Sequence, residues 1–524
     1  MCNVMAKYNT KIAGTTQVVV NAQGGQSIKL SPELELIGLL ATGLDGRFYE
    51  KESERETRLV SVIKEVGKKD PELVAKALVY ARSVMGQRSV THVGAVAAAT
   101  VLAGDPIASR FYGKRDRKEN RGGIVYRLDD ILEILAYYFM RNPGKPLPNS
   151  MKRGFKRALE VADTYELAKY QGSGKAVSLV DAVNLVHPKP SEKMQETFKK
   201  LMKGELKQFN TAEDKNTKSG QEIAEKVKTG KITKAQAEVE LKEAKADNWK
   251  QLIVEGTLGY LALLRNLRNI VTVASDEVFT KAMEMLVDEK RVRKSLVFPH
   301  QIDLAFEVLM AEGGTIPQVR RTRLLTAVNK AYELSVPNLT DLFTYGRTAV
   351  VIDTSGSMTS PVAMGKSRIN ARAVEKAALI GATLAKGIGA DMYHFSNSCS
   401  QLTYNPLDSV NTIKNMVVNR SYGGGTEFNS IFRTLSGKYD RVFVISDMQG
   451  CDSILKNSSY QSYIKSHGQP YVYSIDLCGY GNTMFKQSDK LIQLYGYSAD
   501  IYEMVKSAEI DPRAILKEIR KIVI

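Results

Sequence analysis

The 524-residue sequence predicts an α-helical repeat region over residues 1–340 and an α/β doubly wound domain over residues 341–524. Three observations carry that division. Capped, amphipathic helix patterns recur from residue 31 onward. After Val336-Pro337-Asn338, short apolar strands alternate with helices. An aspartate and two serines at alternate positions then stand where one of those strands ends. The length alone exceeds what a single hydrophobic core serves, so at least two domains are expected.

Ser31-Pro32-Glu33 and Asp70-Pro71-Glu72 each set a capping side chain before a proline at the first helical position, followed by an acid that suits the positive end of the helix dipole. Behind the second start, Val74, Ala77, Leu78 and Ala81 fall at i, i+3, i+4 and i+7. In RLDDILEILAYYFM the same stripe runs through Leu128, Ile131, Leu132, Leu135, Tyr138 and Phe139. VGAVAAATVLA (93–103) is apolar on every side, as a helix packed between neighbours is. Further Ala- and Leu-rich helices are predicted at 256–273, 276–288, 299–311 and 317–334. Their number and spacing imply stacked helical pairs of solenoid type. Residues 203–247 break the pattern. Rich in Lys, Glu, Gln and Ala, with nearly balanced charge, they read as a solvated helical excursion or a flexible insertion.

In the second part, strands are predicted at 347–352, 391–395, 441–446 and 470–475, with a helix over 371–388. Strands separated by helices require right-handed crossovers and a mostly parallel sheet. Ligands of such sheets bind beyond the carboxyl ends of the strands.

The net charge is +17, with an excess of 13 cations over residues 1–340 and 4 over residues 341–524. Such a field concentrates polyanions, nucleic acid above all; the competing reading is a lysine-rich solvated surface. No run reaches the roughly 18 apolar residues of a membrane span, and the first 30 residues lack a basic-then-apolar signal. No membrane partner is therefore expected. The four cysteines (Cys2, Cys399, Cys451, Cys478) are too scattered for a disulfide framework or zinc site, and read as reduced thiols of a cytoplasmic protein.

The stretch VVIDTSGSMTS (350–360) places Asp353, Ser355 and Ser357 at the binding edge of the sheet. Side chains two apart in an extended turn point the same way, and Gly356 allows the sharp bend between them. YGGGTEF (422–428) adds Thr426, and VISDMQG (444–450) adds Asp447 in the same strand-end register as Asp353. Five oxygen groups from three loops, without His or Cys, suit Mg²⁺ or another divalent cation. The alternative is a set of polar caps and turns holding no metal. The constellation resembles the metal-ion-dependent adhesion site (MIDAS) of von Willebrand factor A domains. That resemblance implies serines on the metal, aspartates largely behind waters, and one position open to an acidic group on a partner.

Catalysis is not expected. An aspartyl nucleophile for phosphoryl transfer usually has a second carboxylate two residues on, where this chain has Ser355. GSGK (172–175) is a fragment of a phosphate loop with no apolar strand leading into it.

Six separated stretches occur in one order: LLATGLDGRFYEKE (39–52), DPELVAKALVYARSVMGQRS (70–89), LVHPKP (185–190), LALLRNLRNI (261–270), VRKSLVFPHQIDLAFEVL (292–309) and VPNLTDLFTYGRTAVVIDTSGSM (336–358). Together they resemble the TROVE module of Ro autoantigen proteins joined to its A-type domain, from about residue 30 onward. The resemblance implies an α-helical, HEAT-like repeat ring closed by a von Willebrand factor A, Rossmann-like domain, in a monomer. It implies small noncoding Y-like RNA on the outer basic surface and single-stranded ends of misfolded RNA through the central hole. An acidic protein ligand or an exoribonuclease are further partners consistent with it. The 203–247 insertion departs from the family pattern.

His187 stands at the end of a short helix whose inner stripe is Leu179, Ala182, Val183 and Val186, with Pro188 discouraging continuation. An imidazole there can meet phosphate or stack on a base, or else serve only as a cap. In the family this motif lies at the RNA-binding surface. Around it the chain is basic: Lys114, Arg115, Arg117, Lys118 and Arg121 in one loop, Lys152, Arg153, Lys156 and Arg157 on one helix, then Lys169 and Lys175. The i, i+4 pairs Lys152/Lys156 and Arg153/Arg157 repel along their face, a cost that a bound polyanion removes. The expected function is an RNA-binding ring in RNA quality control. Its alternative is a metal-dependent protein-interaction scaffold acting through the A-type domain.

Overall fold

The computed structural model describes residues 17–206, 222–223, 226–229, 231–295, 297–311, 316–340, 346–359, 361, 372–421, 423–455, 458–486, 488–496, 501, 505 and 514–524. Strands β1 (Val18–Val20) and β2 (Gln26–Lys29) precede a first run of helices. These are α1 (Pro32–Thr42), α2 (Glu52–Lys69), α3 (Pro71–Ser83), α4 (Ser89–Val101), α5 (Ala108–Phe111), α6 (Leu128–Arg141), α7 (Asn149–Glu160), α8 (Thr164–Lys169), α9 (Leu179–Val186) and α10 (Glu192–Met202). A small hairpin, β3 (Arg115–Asp116) and β4 (Arg121–Gly122), lies between α5 and α6. A second run comprises α11 (Lys234–Val254), α12 (Tyr260–Val273), α13 (Asp276–Leu286), α14 (Glu289–Ser295), α15 (Pro299–Ala311), α16 (Gln318–Ser335) and α17 (Pro337–Thr340).

Both predicted caps form. The Ser31 hydroxyl accepts from the Leu34 N–H and the Asp70 carboxylate from the Leu73 N–H, each ahead of a proline in the first turn. The α6 stripe is buried from Leu128 to Tyr138, with Phe139 at its exposed rim. Helix α4 packs against α2, α3 and α6. Helix α11 begins inside the expected insertion (203–247) as a solvated helix and runs past its end, where buried Trp249 and Ile253 anchor it; residues 207–221, 224–225 and 230 lie outside the described residues.

The α/β domain follows as β5 (Thr348–Asp353), α18 (Ala373–Ile388), β6 (Asp391–Phe395), β7 (Cys399–Leu402), α19 (Val410–Val418), α20 (Phe428–Thr434), β8 (Arg441–Ser446), α21 (Ser459–His467), β9 (Tyr471–Asp476), β10 (Asn482–Thr483), β11 (Leu491–Tyr495) and α22 (Ala514–Arg520). Its sheet has the order β11-β9-β8-β5-β6-β7, parallel except for the β6–β7 pair. The four predicted strands are there within a residue or two; β7 and β11 extend the sheet at its edges. In register, Val350 sits between Met392 and Phe443, and both β5 and β8 are buried along their length. Among the described residues no helix is long and apolar enough to cross a membrane.

Packing cuts across the predicted boundary at 340. One core gathers Leu30 to Leu201 and takes in Tyr495 at the end of β11, and Ile519 and Ile522 from beyond the sheet. A second runs from Trp249 to Val336 and continues into Val350, Ile352, Phe443 and Ile445 on one face of the sheet. A third covers the opposite face around Val351, Val444, Phe428 and Phe485. Residue 340 thus marks a change of secondary structure, not of core.

Each helical run is fastened to the α/β domain. On one side the buried Arg55 guanidinium donates to the Cys478 carbonyl at 2.9 Å, and Arg58 donates to the Gly479 carbonyl at 2.7 Å. On the other, Lys376 of α18 pairs with Asp303 (2.8 Å) and Glu307 (2.9 Å) of α15, and Lys414 of α19 pairs with Asp303 (2.5 Å).

A buried charge cluster also holds α3, α4 and α6 together. Asp130 accepts from Arg82 (2.9 Å), from the His92 ring (2.9 Å) and from the backbone N–H groups of Tyr126 and Arg127. Burial opposes its ionisation, yet the bonds and charges of His92 and Arg82 prevail and hold its pKa down to about 2. A depressed carboxyl stabilises the fold above its unfolded pKa, near 4, and loses that contribution as the pH falls through 2. The stabilisation is about 2 kcal/mol. Asp130→Asn is expected to lower stability at pH 7 by at least about 2 kcal/mol and to flatten the acid limb of a circular-dichroism pH titration between pH 4 and 2.

Candidate nucleic-acid interface and cation pocket

Helix α7 buries Met151, Gly154, Phe155, Ala158 and Leu159, a helical i, i+3, i+4 repeat that turns the opposite face outward. Gly154 fixes its seat: a Cβ there would lie 2.4 Å from the Tyr112 Cβ. Tyr112 is itself tied by its hydroxyl to the Ala95 carbonyl at 2.8 Å. The outward face carries exposed Arg153 and Arg157 with half-buried Lys152 and Lys156. Among the described residues none of these four has an acidic partner, so the face keeps its four charges.

Beside it, α9 ends at His187, which is exposed and in the left-handed region (φ +48°, ψ +63°); its N–H donates to the Val183 carbonyl at 2.9 Å. Two residues on, the Lys189 N–H donates to Glu160 Oε1 at 2.8 Å, which sets the His187 turn against the end of α7. His187 therefore caps the helix through its backbone N–H and leaves its ring for solvent.

The other predicted cations divide. Lys118 is exposed. Arg117 lies over the Tyr126 ring at 4.3 Å and donates to the Tyr126 carbonyl. Arg121 is paired with Glu119, Lys175 with Glu133, and Lys114 with Glu166. Lys169 sits over the Tyr165 and Tyr170 rings at 5.4 and 5.8 Å. Arg115 requires correction. It is 2% exposed, and its guanidinium donates to the Gly122, Asn120 and Val523 carbonyls, so it builds the β3–β4 hairpin and offers nothing to a ligand. Its position in a basic loop gave no hint of this, because the acceptor at Val523 lies 408 residues away.

At the carboxyl edge of the sheet Asp353, Ser355, Ser357 and Asp447 come together, and the loop that carries Thr426 is tied to theirs where the Gly356 N–H donates to the Gly424 carbonyl at 3.2 Å. Asp353 ends β5 and Asp447 follows β8; Ile352 pairs with Ile445, so Asp353 is level with Ser446 and Asp447 stands one residue further on, an offset from the shared register expected. Ser355 Oγ lies 3.3 Å from Ser357 Oγ. Asp353 accepts from the Ser355 N–H (2.9 Å) and the Ser446 hydroxyl (2.6 Å). Asp447 Oδ1 accepts from the Gln449 N–H at 3.1 Å, whereas the buried Oδ2 has no partner among the described residues. Burial pushes Asp353 up to about 6 against the pull of those hydrogen bonds. Asp447 stands well above the usual carboxylate range, through burial first and then the charge of Asp353. Two buried carboxylates, one with an orphaned oxygen, fit a cation.

Sequence reasoning missed two neighbours of this pocket. The Gln23 amide donates from Nε2 to Thr426 Oγ1 at 3.1 Å, across 403 residues. The Tyr49 phenol is raised by burial, and among the groups acting on it are Gln23, Ser357, Asp447 and Asp353. No local pattern marks either residue.

Comparison with known proteins places these features in context. The TROVE domain profile matches residues 34–246 and 233–312. Telomerase protein component 1 of Rattus norvegicus is 22% identical over 330 residues, which is 51% of this chain but only 12% of that protein. The crystal structure of the Ro (RSR) protein of Deinococcus radiodurans superposes with a TM-score of 0.57 at 17% identity, covering 93% of this chain and 99% of that one. The two share a fold.

Proposed function

The chain belongs to the TROVE domain family, and we propose on that footing that it binds RNA and does not catalyse a reaction upon it. The observation that carries the proposal is the α7 face, whose four cations have no acid to neutralise them among the described residues and whose helix is locked in place by the Gly154–Tyr112 contact. The α7–His187 surface takes the phosphates and bases of a small noncoding, Y-like RNA. The two helical runs, each fastened to the α/β domain, close a ring, and single-stranded ends of misfolded RNA pass through it. An unpaired strand in a basic channel is held by phosphate contacts and base stacking, with little sequence demand.

The pocket of Asp353, Ser355, Ser357, Thr426 and Asp447 holds a divalent cation, Mg²⁺ by its all-oxygen donor set. The partnerless Asp447 oxygen supports that fit. When bound, the cation supplies positive charge between two buried carboxylates; the protein's part is to aim the hydroxyls and exclude water.

The test is fluorescence anisotropy with a structured small RNA across a salt series. Replacing Lys152, Arg153, Lys156 and Arg157 by Gln is expected to weaken binding at least about tenfold near 0.15 M salt. It should also reduce the slope of log K against log salt by roughly 3 to 4, at about 0.7 to 0.9 per lost phosphate contact. His187→Asn preserves a left-handed cap while removing the ring, and is expected to weaken binding severalfold. Unchanged affinity and slope in both variants would overturn the assignment of RNA to this face.

A further inference from the structure

The pocket oxygens are closed off by the chain itself. Ser355, Thr426 and Asp447 are 0% exposed and Ser357 2%. What covers them is the turn between β1 and β2. Its tip is built on Asn21, whose Oδ1 accepts from the N–H groups of Gln23 (2.9 Å) and Gly25 (3.1 Å), while its Nδ2 donates to the Gly450 carbonyl at 2.7 Å. The Ala22 N–H donates to Gln449 Oε1 at 3.0 Å, next to Asp447. Gly25 passes so close to the loop after β8 that a Cβ would lie 2.2 Å from the Gly450 carbonyl oxygen. β2 also pairs with β10, Ile28 opposite Thr483. This seat presents the Gln23 amide to Thr426, and Tyr49 from the loop before α2 faces the same group of side chains.

We propose that Gln23 supplies the outer ligand of the cation in this pocket, with Tyr49 beside it, so that metal binding staples the amino-terminal turn to the α/β domain. The inference rests on the reading of the pocket as a cation site, and it replaces the acidic partner group that the adhesion-site resemblance implies. Side-chain amide oxygens are hard ligands that Mg²⁺ and Ca²⁺ accept. Turning the last torsion of Gln23 exchanges Nε2 for Oε1 at the Thr426 side of the pocket without altering its packing, because the two ends of the amide have nearly the same shape. In the metal-free state the same amide hydrogen-bonds Thr426 and keeps that hydroxyl aligned.

The experiment measures Mn²⁺ affinity by electron paramagnetic resonance on the full chain, together with hydrogen exchange over residues 17–29 with and without Mg²⁺. Wild type is expected to bind one Mn²⁺ and to slow exchange over 17–29 when Mg²⁺ is added. Gln23→Ala should bind Mn²⁺ at least about tenfold more weakly and lose the metal-dependent protection. Gln23→Glu, which offers a carboxylate at the same reach, should bind at least as tightly as wild type. Melting curves confirm that each variant is folded. Equal affinity and equal protection in wild type and Gln23→Ala would overturn the staple and leave the cation site standing. No Mn²⁺ binding by wild type would overturn both.

Discussion

Asp303→Ala is expected to lower the stability of the second core and the adjoining sheet by about 3–5 kcal/mol, as breaking a buried ion cluster from one side does. Asp303 is fully buried on α15 and takes Lys376, Lys414 and the Tyr332 hydroxyl, the last at 2.6 Å. Burial opposes its charge, but the two ammonium groups overcome that and hold its carboxyl well below the usual range. Removing it takes from two buried ammoniums the carboxylate they share, and burial together with Asp303 has already raised the neighbouring Glu307 carboxyl. The sequence contains one tryptophan, and Trp249 sits 2% exposed in the same core, so intrinsic fluorescence reports this unit selectively. A joint replacement of Asp303, Glu307, Lys376 and Lys414 by Leu, Gln, Met and Met should recover most of the loss, since it strands no charge. A fluorescence midpoint unmoved by Asp303→Ala would show that the cluster does not fasten α15 to the sheet.

Asp447→Asn should separate the cation from the RNA. In chelator the variant is expected to melt no lower than wild type, because it removes one of two mutually repelling buried carboxylates and the oxygen that lacks a partner. Added Mg²⁺ should stabilise wild type by about 2.7 kcal/mol at a hundred times its dissociation constant and leave the variant unmoved. RNA affinity in anisotropy should agree between the two, since α7 and the helix that ends at His187 pack on the first core and Asp447 lies at the sheet edge. A variant that kept its Mg²⁺ response would exclude Asp447 as a ligand, and one that lost RNA binding would tie the two sites together.

What could be read in advance follows from how local its cause is. The starts of α1 and α3 are written in Ser31-Pro32 and Asp70-Pro71, where cap and proline act within one turn. Strands β5, β6, β8 and β9 show as apolar runs because they are buried in the middle of the sheet. β7 (CSQL), at one edge, carries a weaker pattern, whereas β11 (LIQLY) is apolar and fully buried, a short run that periodicity does not separate from a buried helix segment. The placement of Asp353 and Asp447 was legible because strand ends and ligand edges coincide in parallel sheets. Gln23 was not, since β1 and β2 form a hairpin of only three and four residues, and β2 finds its other neighbour in β10, more than 450 residues away. Nor was the burial of Asp303, Lys376 and Lys414: in one dimension a buried ion cluster looks like any solvated charge, and only the third dimension brings α15, α18 and α19 together.

The membership of Ile519 and Ile522 in the first core bears on biosynthesis. A nascent polypeptide leaves the ribosome from its amino end, so the earliest two hundred residues wait, with an apolar groove unfilled, until positions more than three hundred further on have been translated. The Arg115 hairpin waits with them, since its guanidinium and the Gly122 N–H both seek the Val523 carbonyl at 2.9 Å. A stalled or shortened product lacking that stretch would present the open groove to chaperones and proteases, however well each of its own helices had formed.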